Sequence, residues 1–204
     1  EMKLGLVGSE MCIRDRTLLS AAIMFSATVF AQDSMNCNLL HNWNDETIPS
    51  SAWHDNAYNE IWGYEADGRE YAIIGTTDGT HIFDVTDPDA TSEIHFFAGA
   101  ATGVNIVHRD YHDYQGYLYA VCDEGNSTLQ IIDLNGLPDE ATMIYDSNEI
   151  LIRSHNIFID ESKGMMYVCG GEDQLRLVSL EDPENPVEVL DCNNDLDFWG
   201  PIGY

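Results

Sequence analysis

The sequence predicts an all-β fold, a β-propeller of four-stranded antiparallel blades, on three observations. Three segments repeat one pattern: YAIIGTTDGTHIFDVTDP from Tyr71, YAVCDEGNSTLQIIDLNG from Tyr119 and YVCGGEDQLRLVSLEDP from Tyr167, with the leading tyrosines 48 residues apart both times. Each segment holds two β-rich runs around a Gly/Asp/Asn/Ser-containing turn. The second runs alternate apolar and polar side chains, the period-two mark of a strand. Four-stranded units recurring at roughly 40–50 residues are the signature of propeller blades. An immunoglobulin-like sandwich has no such period, and the coils of a parallel β-helix are much shorter.

Each unit then supplies its remaining strands in order. A first strand precedes each segment: NEIWGY (59–64) before the turn Ala66-Asp67-Gly68, HRDYHDY (108–114) before Gln115-Gly116, and HNIFID (155–160) before Glu161-Ser162-Lys163-Gly164. The outer runs centre on Phe83-Asp84-Val85, Ile132-Asp133-Leu134 and Val178-Ser179-Leu180. A weaker fourth strand closes each unit: EIHFF (93–97), ATMIY (141–145) and PVEVL (186–190), with Asp87-Pro88 and Asp182-Pro183 marking turns. Blades are therefore expected over about 59–98, 108–146 and 155–190. Phe198–Tyr204 reads as the approach to a fourth, so a C-terminally incomplete propeller is expected within 58–204.

The head of the chain reads differently. Residues 5–16, GLVGSEMCIRDR, look like the translation of a sequencing adapter, which makes 1–16 an artefactual segment. TLLSAAIMFSATVFA (17–31) is an uncharged run of 15 residues, too short to span a bilayer as a stable helix. It matches the apolar region of a signal peptide, with Val29 and Ala31 suiting a cleavage site. Export, with the mature chain starting near Gln32, follows as an expectation. Residues 32–57 form an N-terminal segment, and no other run reaches transmembrane length.

Charge narrows the partners. The 204 residues carry 36 acidic and 8 basic side chains, a net of -28. After residue 31 the only cations are Arg69, Arg109, Arg153, Lys163 and Arg176. A phosphate backbone must be neutralised by Lys and Arg, so nucleic acid is excluded, and so is adhesion to anionic lipid. The acidity either keeps the fold soluble at high ionic strength or recruits divalent cations.

Candidate chemistry lies at the openings of the first strands, which line the channel of a propeller. The polar pairs there are Asn59-Glu60, Arg109-Asp110 and His155-Asn156. They form a candidate ring for a small polar ligand or a divalent cation such as calcium, with Glu60 and Asp110 as oxygen donors and His155 as a nitrogen donor. The alternative is structural: such groups bind water and adjacent blades, with Arg109 paired to Glu60 or Asp110. His108 and His112 share a strand face with Asp110 and are a second metal candidate against ordinary solvated histidines. Asp191, Asn193, Asp195 and Asp197 alternate as in a calcium loop, but Leu196 stands where glycine is needed. Trp43, Trp53 and Trp62 suit either core packing or sugar stacking. Cys169 and Cys192 bracket one repeat and are the disulfide candidates, free thiols being the alternative. The nucleophile-elbow, zincin, phosphate-loop and dinucleotide motifs are all missing.

YNEIWGYEADGREYAIIGTTDGTHIFDVTDP, HRDYHDYQGYLYAV and SHNIFIDESKGMMYVCGG, in that order, resemble the choice-of-anchor B family of bacterial surface proteins, built from LVIVD-type propeller repeats. The resemblance runs from about Tyr58 to Tyr204. His112 and Asp113 depart from it, where an apolar residue is commoner. It implies an exported propeller with a variable C-terminal anchor, and no reaction. The expected function is a non-enzymatic cell-surface or secreted module binding a protein, glycan or small polar ligand. The alternatives are an exported hydrolase- or lyase-type enzyme, metal-assisted at the channel, and a structural adhesion component.

Overall fold

Two of the three first-strand hairpins form by the same local rule. Asp67 and Gly68 (φ 53° and 73°), like Gln115 and Gly116 (φ 51° and 82°), are consecutive left-handed residues. That is the type I′ geometry whose twist matches the flanking strands of a two-residue hairpin. The structure, a computed structural model, describes residues 38–171 and 175–195. Cys37, the adapter-like and leader-like segments, Asp197 and the Phe198–Tyr204 stretch lie outside the described residues. The described strands belong to a unit spanning His41–Tyr204; of the preceding unit only the irregular residues 38–40 are described.

Twelve strands form among the described residues. Blade 1 comprises β1 (Tyr58–Ala66), β2 (Arg69–Thr76), β3 (Gly79–Asp84) and β4 (Ser92–Ala98). Blade 2 comprises β5 (Arg109–Tyr114), β6 (Tyr117–Cys122), β7 (Leu129–Asp133) and β8 (Thr142–Ser147). Blade 3 comprises β9 (Asn156–Asp160), β10 (Met165–Cys169), β11 (Leu175–Ser179) and β12 (Val187–Asp191), followed by one helical turn, α1 (Cys192–Asp195). Each blade is an antiparallel meander in sequence order. The innermost strands β1, β5 and β9 are neighbours in that order, so the architecture is all-β: three four-stranded propeller blades stacked face to face. A bulge interrupts the pairing of the third strand with the fourth in every blade, which explains the weak sequence signal of the fourth strands.

The core lies between blades. Tyr71, Ile73 and Ile82 of blade 1 meet Tyr111, Leu118, Ala120 and Ile132 of blade 2. On the opposite face of blade 2, Tyr119, Val121, Leu129 and Ile131 meet Ile157, Ile159, Met166, Val168 and Val178 of blade 3. Blade 2 is therefore buried on both faces, and β6 reads as an unbroken buried run from Leu118 to Cys122. Trp43 covers the outer face of blade 1, its ring 4.8 Å from that of Phe83 and 4.9 Å from that of His81. This is the packing alternative for that tryptophan.

The expected disulfide between Cys169 and Cys192 does not form; Cys122, Cys169 and Cys192 are free thiols. Cys169 pairs with Leu175 on β11, and the register Arg176↔Asp191 carries Cys192 onto the far side of that strand. Two strand spacings, about 9.6 Å, exceed the roughly 7 Å that a disulfide can bridge.

Leu118 is fully buried between blades 1 and 2, whereas Ile144 on β8 is 39% exposed. Leu118→Ala should cost about 3 kcal/mol of stability, and Ile144→Ala under about 1 kcal/mol. Thermal melts of the two variants check this. Equal losses would contradict a core placed between the blades.

Candidate functional site

Strand β5 organises the site because its alternate side chains reach different blades. Arg109, Tyr111 and Asp113 turn towards blade 1; Asp110 and His108, just before the strand, turn towards blade 3, and the His112 ring lies between Trp62 of blade 1 and Phe158 of blade 3. On the blade 1 side, the Arg109 amide donates to Asn59 Oδ1 (3.2 Å). The Tyr111 hydroxyl meets Thr80 Oγ1 (3.0 Å), and Trp62 Nε1 donates to Asp113 Oδ1 (2.8 Å). On the blade 3 side, Asp110 Oδ2 accepts from the Ile157 amide (2.6 Å), and the His112 ring lies edge-on to Phe158 (5.8 Å). The His108 ring lies 5.6 Å from that of His155.

The register changes the expected ring of polar pairs. Counting back from the hairpins, Tyr64↔Tyr71, His112↔Tyr119 and Phe158↔Tyr167 are equivalent. Ile61-Trp62 therefore takes the place of Arg109-Asp110 and His155-Asn156, and Asn59-Glu60 sits at a bulge beyond it. Glu60 is the extra residue there, with φ 60°. Gly75 opposite makes room, since a Cβ there would meet the Asn59 carbonyl oxygen. Asn59 and Glu60 line an open cleft of ≈ 450 Å³ with Trp43, Tyr58, Ile61 and Ile74.

Arg109 does not pair with Glu60 or Asp110 through its side chain. Its guanidinium is buried and donates to carbonyls: Nε to Thr76 (2.6 Å), and one terminal nitrogen to Ala101 (2.8 Å) and Thr77 (3.4 Å). It thereby ties the β2–β3 turn to the 99–108 connection. Burial pushes the Asp110 carboxyl above its usual range, against the opposing donors Ile157 N, Tyr111 N and the Asn156 side chain. Burial and then the nearby Asp110 charge push Glu60 up as well.

The ligating atoms of Glu60, Asp110 and His155 do not gather around one point. Among the described residues, the group that does is His108, Asp123 and Glu124, whose atoms lie within 4.8 Å of one another. His108 and His112, four apart on extended chain, stand about 13 Å apart and cannot share an ion. The cluster sits where β5 and β9 begin and β6 ends, at one end of the blades. His108 lies opposite Asp123, whose amide donates to the His108 carbonyl (3.1 Å). Glu124 Oε2 accepts the amides of Val107 (3.0 Å) and His108 (2.9 Å), and Glu124 Oε1 meets His108 Nδ1 (2.5 Å). Asp123 Oδ2 meets His155 Nδ1 (2.6 Å), and the His54 ring stands 5.7 Å from that of His108. Burial opposes ionisation of Glu124, but those amides and the His108 ring outweigh it and hold the carboxyl below its usual range.

Sequence reasoning placed His108 and His155 among its candidates and missed His54, Asp123 and Glu124. The two-residue turn Gln115-Gly116 held the signal for Asp123, since counting outward from it sets His108 opposite that residue. The calcium-like alternation after β12 has another role: Asp191 caps α1, accepting from the Asn194 amide (3.3 Å) and side chain (2.7 Å), while Asp195 Oδ2 accepts the Asp191 amide (2.9 Å). Of the other tryptophans, Trp62 packs on His112 at 4.8 Å, and Trp53 is exposed.

No family model and no curated protein matches the chain. A solved GH43 β-1,3-galactosidase with galactodeoxynojirimycin is similar at TM-score 0.40 and 11% identity, over 66% of this chain. The match covers 46% of that structure, so the chain spans under half its length.

Two outcomes follow. Arg109→Ala strips buried carbonyls of their donor and should cost about 3 kcal/mol. Arg109→Lys should recover less than half, since one ammonium cannot reproduce the planar fork; melting temperatures read both. Glu60→Gln keeps the same backbone strain but removes a charge whose folded pKa is raised. An acid with a raised pKa destabilises the fold above that pKa and is relieved as pH falls through it. The variant should therefore melt higher than the parent at neutral pH, with the gain vanishing under acidic conditions; a pH-independent gain would contradict the electrostatic cause.

Proposed function

We propose that this chain is an exported, non-enzymatic binding module whose ligand surface is the blade end bearing His54, His108, Asp123, Glu124 and His155. The observation that carries this reading is the convergence of three imidazole rings and two carboxylates, all half-buried except the exposed His54, on connections rather than within the ladder. Groups presented on loops by a rigid scaffold are available to a partner, whereas β5 spends its own polar side chains on neighbouring blades. With a net charge of -28, this end favours cationic or hydroxyl-rich ligands: a basic protein segment, a glycan or a small polar molecule. Burial pushes the Cys122, Cys169 and Cys192 thiols up, the opposite of what an activated nucleophile needs. The leader-like run 17–31 and the resemblance to surface propellers support export.

The test pairs a glycan array and a set of lysine-rich peptides with chromogenic glycoside and ester substrates. Expected is saturable binding to at least one probe, weakened at least tenfold by Asp123→Asn, with no turnover. Turnover abolished by the same substitution would replace the binding module with an enzyme. Binding indifferent to Asp123→Asn and to His155→Ala would remove this surface from the reading.

A further inference from the structure

The geometry points to a divalent transition-metal site, of the zinc or manganese class, held by His108, Asp123 and Glu124. The inference rests on the blade-end surface proposed above and gives that surface its chemistry. One imidazole nitrogen and two carboxylate oxygens within 4.8 Å make a three-ligand set that leaves further coordination positions for water or a ligand. An imidazole donor selects against calcium and magnesium, which take oxygen ligands.

The spacing suits such an ion. Donor atoms about 2.0–2.1 Å from a tetrahedral metal stand about 3.3 Å from each other. The His108–Glu124 contact, now 2.5 Å, has to open by under about 1 Å, while the rest of the set closes from no more than 4.8 Å. Both carboxylates are already aimed. Two backbone amides grip one Glu124 oxygen, leaving the other turned to His108. His155 Nδ1 holds one Asp123 oxygen, the kind of outer contact that orients metal-ligating carboxylates. The β5–β6 ladder fixes the spacing, since the Asp123 amide is bonded to the His108 carbonyl.

Four of the five cations after residue 31 are engaged away from the cluster. Arg69 pairs with Asp84, Lys163 with Asp160, and Arg176 with Glu188 and Asp191, while Arg109 is committed to carbonyls. Asp123 and Glu124 meet histidines instead, the side chains that exchange a proton for a metal ion.

Calorimetric titration of the 204-residue chain with zinc, manganese and calcium chlorides tests this, with cobalt as a spectroscopic probe. Expected is one zinc or manganese ion per chain, bound at least tenfold more tightly than calcium. His108→Ala and Asp123→Asn should abolish that binding and His112→Ala should leave it intact, with far-UV circular dichroism confirming that each variant folds. Should either cluster variant unfold, Glu124→Gln takes its place, and the cobalt spectrum of the parent chain decides. Visible bands of a nitrogen/oxygen site support the inference. A thiolate-to-cobalt charge-transfer band, a stoichiometry unchanged by the cluster variants, or no binding at millimolar metal overturns it. The titration contains no organic ligand, so its failure leaves the binding-module reading to its own test.

Discussion

Burial of the middle blade on both faces is the constraint on which the other features depend. A sheet whose two faces are both covered cannot place a polar side chain harmlessly in solvent, so each one must find a partner on the next blade. Strand β5 meets that requirement by alternation. The Arg109, Tyr111 and Asp113 side chains are matched by the Thr76 carbonyl, Thr80 and Trp62 on one side, and Asp110 by the Ile157 amide on the other. The apolar residues of β6 and β7 alternate in the same way between two separate cores. A one-residue slip of β5 would exchange every one of these partners at once, which pins the register strongly.

The same constraint explains why the innermost strands do not carry the candidate site. Their polar residues are consumed in joining blades: a buried guanidinium clamps carbonyls, and Asp110 bridges to β9 at the cost of a carboxyl pushed upward by burial. Groups able to meet a partner are displaced to the end of the blades, where the 99–108 and 122–128 connections lie beside the chain entering β9. Those loops are held firmly. Arg109 ties the first of them to the β2–β3 turn, and Glu124, on the second, accepts two amides of the first. A site on braced loops combines access with a defined geometry, which is what recognition of a small polar group or an ion requires.

Strand-level features were readable from residue order because each depends on neighbours in the chain. The alternation in Ile132-Asp133-Leu134, the glycine after Asp67 and after Gln115, and the 48-residue recurrence of tyrosine all report local backbone preference or repeat identity. The failures share one origin. Asn59-Glu60 looked equivalent to Arg109-Asp110 because nothing local announces that Glu60 is an extra residue; the bulge exists because Gly75, fifteen positions later, admits the Asn59 carbonyl. Cys169 and Cys192 looked like partners because sequence distance does not show that β11 lies between them.

What the sequence determined by itself was the all-β class and the three blades with their strand order. These follow from period, turn chemistry and composition, all properties of short stretches or of the whole chain. Tertiary structure alone decided which blade faces meet, where Arg109 points, and that Asp123 and Glu124 meet His108 and His155 at one end of the blades. Those outcomes depend on register and on stacking between sheets, where residues tens of positions apart compete for the same space and the same hydrogen bonds. The polar pairs that residue order placed on a common ring were separated by a single bulge, and the loop residues that it passed over as turns were brought together by the ladder beneath them.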